Sequence, residues 1–156
     1  MNERYGGADM DTALWEGKQA LQTLYKRYLE KVGEKFGLSK TEMDILLFLK
    51  NNPEYDSASE IVQHIFISKA HVSLTLRSLQ EKGYVQASYA GENRRTLHLK
   101  LLEKAEQVVE EGQNAQRRYY RDMMSGIEQE DRKYFWSIFR RILKNADAFL
   151  EKRDGD

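Results

Sequence analysis

The side chains of this chain best suited to chemistry at a surface are clustered. Ser68, Lys69, His71, Ser73 and Arg77 fall within one short stretch, and Asn93, Arg94 and Arg95 follow soon after. Hydroxyl, imidazole, ammonium and guanidinium groups at such density supply hydrogen bonds and positive charge to anionic oxygens and to the polar edges of planar groups. They do not suit catalysis. There is no cysteine, which excludes disulfides, thiolate metal sites and thiol redox chemistry. The three histidines, His64, His71 and His98, lie on different expected elements without metal-ligand spacing. No nucleophile elbow, phosphate loop or carboxylate pair in a plausible cleft is present, so we expect neither an enzyme nor a bound metal or cofactor.

The elements that would carry these side chains are legible in local signals. Ser68 can cap a helix in which Val72, Leu76 and Leu79 share one face, and Gly83 can end it in a left-handed conformation. Before it, Ser57-Ala58-Ser59-Glu60 is a capping box opening a short helix through Ile61, Val62 and Ile65, with Ile67 beginning the turn between the two. After it, strand patterns over Tyr84 to Tyr89 and Thr96 to Leu101 flank turn chemistry at Ala90-Gly91-Glu92-Asn93. That is a hairpin with basic residues beside its tip, and Leu97, Leu99 and Leu101 lie on one of its sides.

Longer helices flank this middle. Leu14, Leu21, Leu24, Tyr25, Tyr28 and Val32 are spaced as one face of a first helix, with Gly33 and Gly37 marking its end. A second capping box, Ser39-Lys40-Thr41-Glu42, opens a helix that buries Met43, Leu46, Leu47 and Leu49 and stops at Asn51-Asn52-Pro53. Beyond the hairpin, Ala105, Val108, Val109 and Gly112 begin a helix that turns polar at Gln113, Asn114 and Gln116 and breaks at Ser125-Gly126. The final helix carries Phe135, Ile138, Phe139, Ile142, Ala146, Phe149 and Leu150 as a dense apolar stripe. A lone chain of 156 residues would struggle to cover that stripe, so Phe135, Ile138, Phe139, Ile142 and Phe149 are expected to meet a second copy.

The fold class is therefore mainly α with a small β-hairpin wing. A winged helix-turn-helix module over 38–101 is expected between helical dimerisation arms at 1–37 and 102–156. No apolar run approaches the roughly 20 residues of a membrane span, and the N-terminus lacks a signal peptide's basic and apolar regions, so the chain reads as cytoplasmic with no membrane partner. Basic and acidic side chains balance overall, but residues 57–100 carry a net +3. A positive middle between acidic arms fits a module that meets phosphates.

The helix face sharpens this. With Val72, Leu76 and Leu79 inward, a rotation of about 100° per residue turns Ala70, Ser73, Leu74 and Arg77 outward, with Lys69 and His71 at the exposed N-terminal end. Ser68, Lys69, Ala70, His71, Ser73, Leu74 and Arg77 then suit the major groove of duplex DNA. Serine, histidine and arginine can pair with base edges or phosphates, and Ala70 and Leu74 can pack on thymine methyls. Asn93, Arg94 and Arg95 at the wing tip would lie along the backbone or in the minor groove.

This order of elements resembles the MarR family of regulators over nearly the whole chain. Leu38-Ser39-Lys40-Thr41-Glu42 is similar to its second-helix opening, Ile67-Ser68-Lys69-Ala70-His71-Val72-Ser73 to the start of its recognition helix, and Leu79-Gln80-Glu81-Lys82-Gly83-Tyr84-Val85 to its L-x-x-K-G segment. Asn93-Arg94-Arg95 stands where the family has D-x-R, and Leu101-Leu102-Glu103-Lys104-Ala105 where it has L-T-E-K-G. Asn93 thus replaces an aspartate that would orient the wing arginine, and Leu102 replaces a threonine that would cap the next helix. The resemblance implies a transcriptional repressor, a homodimer on a pseudo-palindromic operator, relieved by a small aromatic or phenolic effector. Tyr25, Tyr28, Tyr119, Tyr120 and Trp136 could line a pocket for that effector or equally form core and dimer surface. The competing reading is a winged-helix module that binds protein. Such a module should show aliphatic or aromatic anchors on the exposed helix face, where Leu74 stands alone.

Overall fold

A computed structural model describes residues 10–65, 67–89 and 96–153. It contains six helices and one antiparallel pair of strands in the order α1 (Met10–Phe36), α2 (Lys40–Asn51), α3 (Ala58–Ile65), α4 (Lys69–Glu81), β1 (Val85–Tyr89), β2 (Leu97–Leu101), α5 (Ala105–Met123) and α6 (Gln129–Arg153). The chain divides into two compact units, Met1–Tyr119 and Tyr120–Asp156. The expected fold class, mainly helical with a two-stranded wing, is the observed one.

Local chemistry sets the helix ends. Ser39 and Glu42 close a reciprocal box: the Ser39 amide donates to Glu42 Oε2 at 2.7 Å, and the Glu42 amide donates to Ser39 Oγ at 3.2 Å. Ser57 and Glu60 do the same for α3. At the other end, α1 and α4 stop in one shared geometry. Gly37 (φ +65°) and Gly83 (φ +75°) take the left-handed conformation, the Leu38 amide reaches back to Gly33 O at 2.8 Å, and the Tyr84 amide reaches back to Leu79 O at 2.9 Å. Each bond satisfies a carbonyl that the helix would otherwise leave open.

The core of the first unit is built on α2. Met43, Ile45, Leu46, Leu47 and Leu49 are all buried, together with Leu29 and Val32 of α1, Ile61 of α3, Val72, Leu76 and Leu79 of α4, Leu99 of β2 and Val108 and Val109 of α5. Only the C-terminal half of α1 contributes. Leu14 is 66% exposed and Leu21 45%, so the periodic face read from sequence is buried at Val32, half-buried at Leu24, Tyr25 and Tyr28, and open toward its start, while Leu29, which that reading left out, is buried as well.

Two further expectations change. Gly33 does not end α1, because the helix continues to Phe36 and Gly37 alone terminates it. Gly33 serves close approach instead: a Cβ there would sit 2.7 Å from the Leu38 carbonyl oxygen, which is backbone and cannot swing aside. Gly112 similarly lets α5 approach Leu47, whose methyl would lie 2.8 Å from a Cβ. The start of α5 survives without a capping hydroxyl at Leu102. There the Ala105 amide donates to Leu102 O at 2.8 Å and the Glu106 amide to Glu103 O at 3.0 Å, so backbone turns replace the side-chain cap.

The second unit holds α6 and the end of α5. Arg132 donates to Met124 O at 2.9 Å and to Ile127 O at 2.7 Å, tying the turn between the two helices to the first turn of α6. Phe135, Ile138, Ile142 and Phe149 of the apolar stripe are exposed, Phe149 at 70%. Phe139 is half-buried and stacks on Phe135 with ring centres 5.5 Å apart.

The tight turn against Gly33 should be visible in stability. Gly33→Ala is expected to destabilise by about 1–3 kcal/mol through overpacking against backbone. Gly17→Ala, where a Cβ meets nothing within 4 Å, should instead gain up to about 1 kcal/mol from helix propensity. Urea midpoints of the two variants, compared with the parent, test this, and a Gly33 variant as stable as the parent would contradict it.

Candidate nucleic-acid interface

The exposed face of α4 follows from what the helix buries. Val72 is 1% exposed, Leu76 3% and Leu79 0%, and the adjacent Thr75 is also inside, its Oγ1 donating to the His71 carbonyl at 2.9 Å. The remaining azimuths face solvent. Ser68, Lys69, Ala70, His71, Ser73, Leu74 and Arg77 are all exposed, so the structure brings together the seven helix residues singled out from sequence. Ser68 also caps the helix, accepting from the His71 amide at 3.2 Å. Lys69 and Arg77 make no ion pair among the described residues, which leaves their charges available. Leu74 is 65% exposed at the centre of the face.

Behind this face lies a buried carboxylate that periodicity does not reveal. Glu42, 5% exposed on the first turn of α2, accepts from Ser78 Oγ at 2.7 Å and from Lys82 Nζ at 2.8 and 3.0 Å, besides the Ser39 amide. Lys82 donates also to Gly37 O at 3.0 Å, and its own carbonyl accepts from Lys104 at 2.7 Å. The last turn of α4 is thereby tied to the end of α1, the start of α2 and the segment before α5. Burial pushes the Glu42 carboxyl up, but the hydrogen bonds from Lys82, the Ser39 amide and Ser78 and the Lys82 charge together outweigh it and hold the group below its usual value.

The wing is anchored at its base. β1 and β2 pair in register from Val85↔Leu101 to Tyr89↔Leu97. β2 is joined on its other side to the segment before α3, with Ser57 bridging His98, the Leu99 amide donating to Asp56 O at 2.7 Å, and His98 Nδ1 lying 2.8 Å from Asp56 Oδ1. Sequence reasoning missed this join, since nothing local marks Asp56 as a partner of His98. Asn93, Arg94 and Arg95 lie outside the described residues.

Other singled-out residues take packing roles. Tyr119 packs edge-on to Tyr25 and Tyr28, at 5.3 and 6.0 Å between ring centres, and Tyr25 OH accepts from Gln116 at 2.8 Å. In the second unit Tyr120 stacks with Trp136 at 6.2 Å and accepts its indole N–H. His64 stacks on Tyr55 at 4.5 Å. Among the described residues no cluster could hold a metal ion, and no helix is long and apolar enough to cross a membrane.

Against known proteins, residues 36–95 match the sequence model of the MarR family. The chain is 27% identical over 128 residues to the HTH-type transcriptional regulator PecS of Dickeya dadantii, covering 78% of this chain and 75% of that one. It is 24% identical over 120 residues to the HTH-type regulator YdgJ of Bacillus subtilis, covering 74% and 73%. Its fold is that of transcriptional regulator PA3341 (TM-score 0.77, 22% identity, 90% and 99% covered). A putative MarR-family regulator from Listeria monocytogenes solved with a 26mer DNA shares it too (0.75, 15%, 96% and 97%). So does an organohalide-sensing regulator in its 2,4-dichlorophenol-bound form (0.67, 16%, 91% and 84%).

The Glu42 site generates a pH prediction. Its folded value lies below the unfolded one of about 4.3, so the stability it contributes is fully present above that pH and is lost as pH falls through the folded value. Glu42→Gln should cost about 1–3 kcal/mol near neutral pH, because it weakens charge-assisted bonds in a buried site. The gap to the parent should narrow on acidification. Denaturation at a series of pH values from 7 to 3 checks this, and a gap that widens below pH 4 would refute the sign.

Proposed function

Because this chain is a MarR-family transcriptional regulator with a DNA-binding fold, we propose that it acts as a homodimeric repressor on a pseudo-palindromic operator and is released by a small aromatic or phenolic effector. The observation that carries this is the outward face of α4. Ser73, Leu74 and Arg77 are exposed on a helix whose opposite stripe is fully buried, so they are held as readers on a rigid element. Arg77 has the reach for a two-pronged guanine contact and Leu74 for a thymine methyl, while Ser68, Lys69, Ala70 and His71 meet phosphate and base edges at the helix start. Asn93, Arg94 and Arg95 belong to this reading as wing contacts to the backbone or minor groove. The Listeria regulator solved with DNA supports the partner, and the dichlorophenol-bound regulator supports the class of effector.

In this reading 38–101 is the DNA-reading module and 1–37 and 102–156 are the arms. The exposed Phe135, Ile138, Ile142 and Phe149, with Phe139 beside them, supply an apolar surface for a second copy. A two-fold dimer would then present two α4 helices to half-sites about 34–36 Å apart. A repressor needs no further device, since a dimer seated on an operator excludes other proteins from it.

Two measurements test the proposal. With an operator selected from a random duplex library at fixed salt, Arg77→Ala should cost about 1–3 kcal/mol at one base pair per half-site, and Leu74→Ala should relax preference at another. If both variants keep every base preference, α4 is not the reader and the protein-binding module becomes the better account. Sedimentation equilibrium should find a dimer at micromolar concentration that Ile142→Asp, at an exposed position, shifts toward monomer with a parallel loss of operator affinity. A monomeric parent would overturn the assembly.

A further inference from the structure

We propose that Glu42, which lies outside the reading face, is a positioning residue for sequence recognition: its buried carboxylate fixes the rotational setting of α4 through Ser78 and Lys82. The inference rests on α4 being the reader. It starts from a weakness in how α4 is held. Val72, Leu76 and Leu79 form one apolar stripe, and apolar contact is non-directional, so it resists withdrawal of the helix better than rolling about its axis. Directional bonds must supply what the stripe does not.

Among the side-chain hydrogen bonds of the described residues, those that join α4 and its C-cap to α2 converge on Glu42. Ser78 Oγ and Lys82 Nζ both reach Oε1, at 2.7 and 2.8 Å, and Lys82 Nζ reaches Oε2 at 3.0 Å. The carboxylate itself is pinned, since Oε2 also accepts the Ser39 amide at 2.7 Å. Ser78 directly follows Arg77 in the chain, so a bond that fixes the azimuth of one fixes the other. A roll of about 15° moves atoms 5–6 Å from the helix axis by about 1.5 Å. Base recognition tolerates displacements of only about 0.5 Å. Phosphate contacts made by long, flexible cations survive such a shift. Loss of Glu42 should therefore erode discrimination between sequences while leaving the electrostatic part of binding in place.

Glu42→Gln separates this role from capping, because glutamine can also complete the box with Ser39. Ser78→Ala removes one tie while leaving the ion pair intact, and serves should the first variant fold poorly. For each, affinity is measured at fixed salt for the selected operator and for a random duplex of equal length, with the salt slope of the latter. Both variants should lose operator affinity, Glu42→Gln by about tenfold, with random-duplex affinity and salt slope unchanged. The lost base preference should fall at the pairs read by Arg77 and Leu74, and adding Glu42→Gln to the Arg77→Ala, Leu74→Ala double variant should make it little worse. Equal losses on operator and random duplex, or a further full loss when Glu42→Gln is added to the double variant, would overturn the proposal. Amide hydrogen exchange of the DNA-free protein keeps it separate from the parent reading. The last turn of α4 should exchange faster in Glu42→Gln while the first turn of α2 stays protected, and unchanged exchange in α4 would refute the positioning role whatever the DNA results.

Discussion

A helix of 13 residues can turn only one stripe inward, and in α4 that single constraint decides the character of the molecule. Val72, Leu76 and Leu79 are each almost completely buried, and each contributes about 1.5–3 kcal/mol by leaving water. Their spacing leaves no freedom for the remaining positions. Polar and small residues at 68, 69, 70, 71, 73 and 77 must face outward, together with Leu74, and the surface that could meet DNA is thus a by-product of core formation. The helix ends reinforce it, with the Ser68 hydroxyl at one end and the left-handed Gly83 at the other fixing where the face begins and stops.

Around this stripe the structure divides its labour between apolar and polar contact. α2 is the hub of the core; Gly112 lets α5 come close to its Leu47, and Gly33 leaves room for the Leu38 carbonyl in the turn that leads into it. Polar bonds then set orientation. Gln113 donates to Asn51 at 2.9 Å, Asn51 to Gln116 at 3.0 Å and Gln116 to Tyr25 at 2.8 Å, a chain of amides that links α5, α2 and α1 where the sequence of α5 turns polar. Burial pushes the Tyr25 phenol up, against the opposing pull of Gln116, so it remains a neutral partner in that chain over the physiological range. The polar tract is a joint between helices.

What the sequence reveals is what neighbouring residues encode. Ser39 with Glu42, Ser57 with Glu60, and Ser68 with the amide three residues on are short-range signals, and all three caps form. The seven candidate residues on α4 follow from periodicity alone, because the three-residue stripe that defines their face is unambiguous. Relations across the chain are another matter. Glu42 looks like a cap, Lys82 like part of a helix end and Ser78 like a surface serine, and nothing in their spacing says that 36 and 40 residues of separation close to hydrogen bonds. Gly33 is misread for a related reason: a glycine near a helix end has the same local appearance whether it terminates the helix or admits a neighbour. Asn93, Arg94 and Arg95 rest on the hairpin pattern and the family resemblance.

The join between β2 and the segment before α3 also decides how the small sheet meets its surroundings. A lone hairpin is marginal in water, and here β2 has neighbours on both sides, with β1 along one edge and Asp56 and Ser57 along the other. Among the described residues the other edge of β1 is unpaired, which is where strands of other molecules could add. That edge is five residues long, and Gln86, Ser88 and Tyr89 on it are exposed. A short, largely polar edge is a poor template for addition. The same brevity that keeps the wing small thus keeps it from recruiting strands as concentration rises.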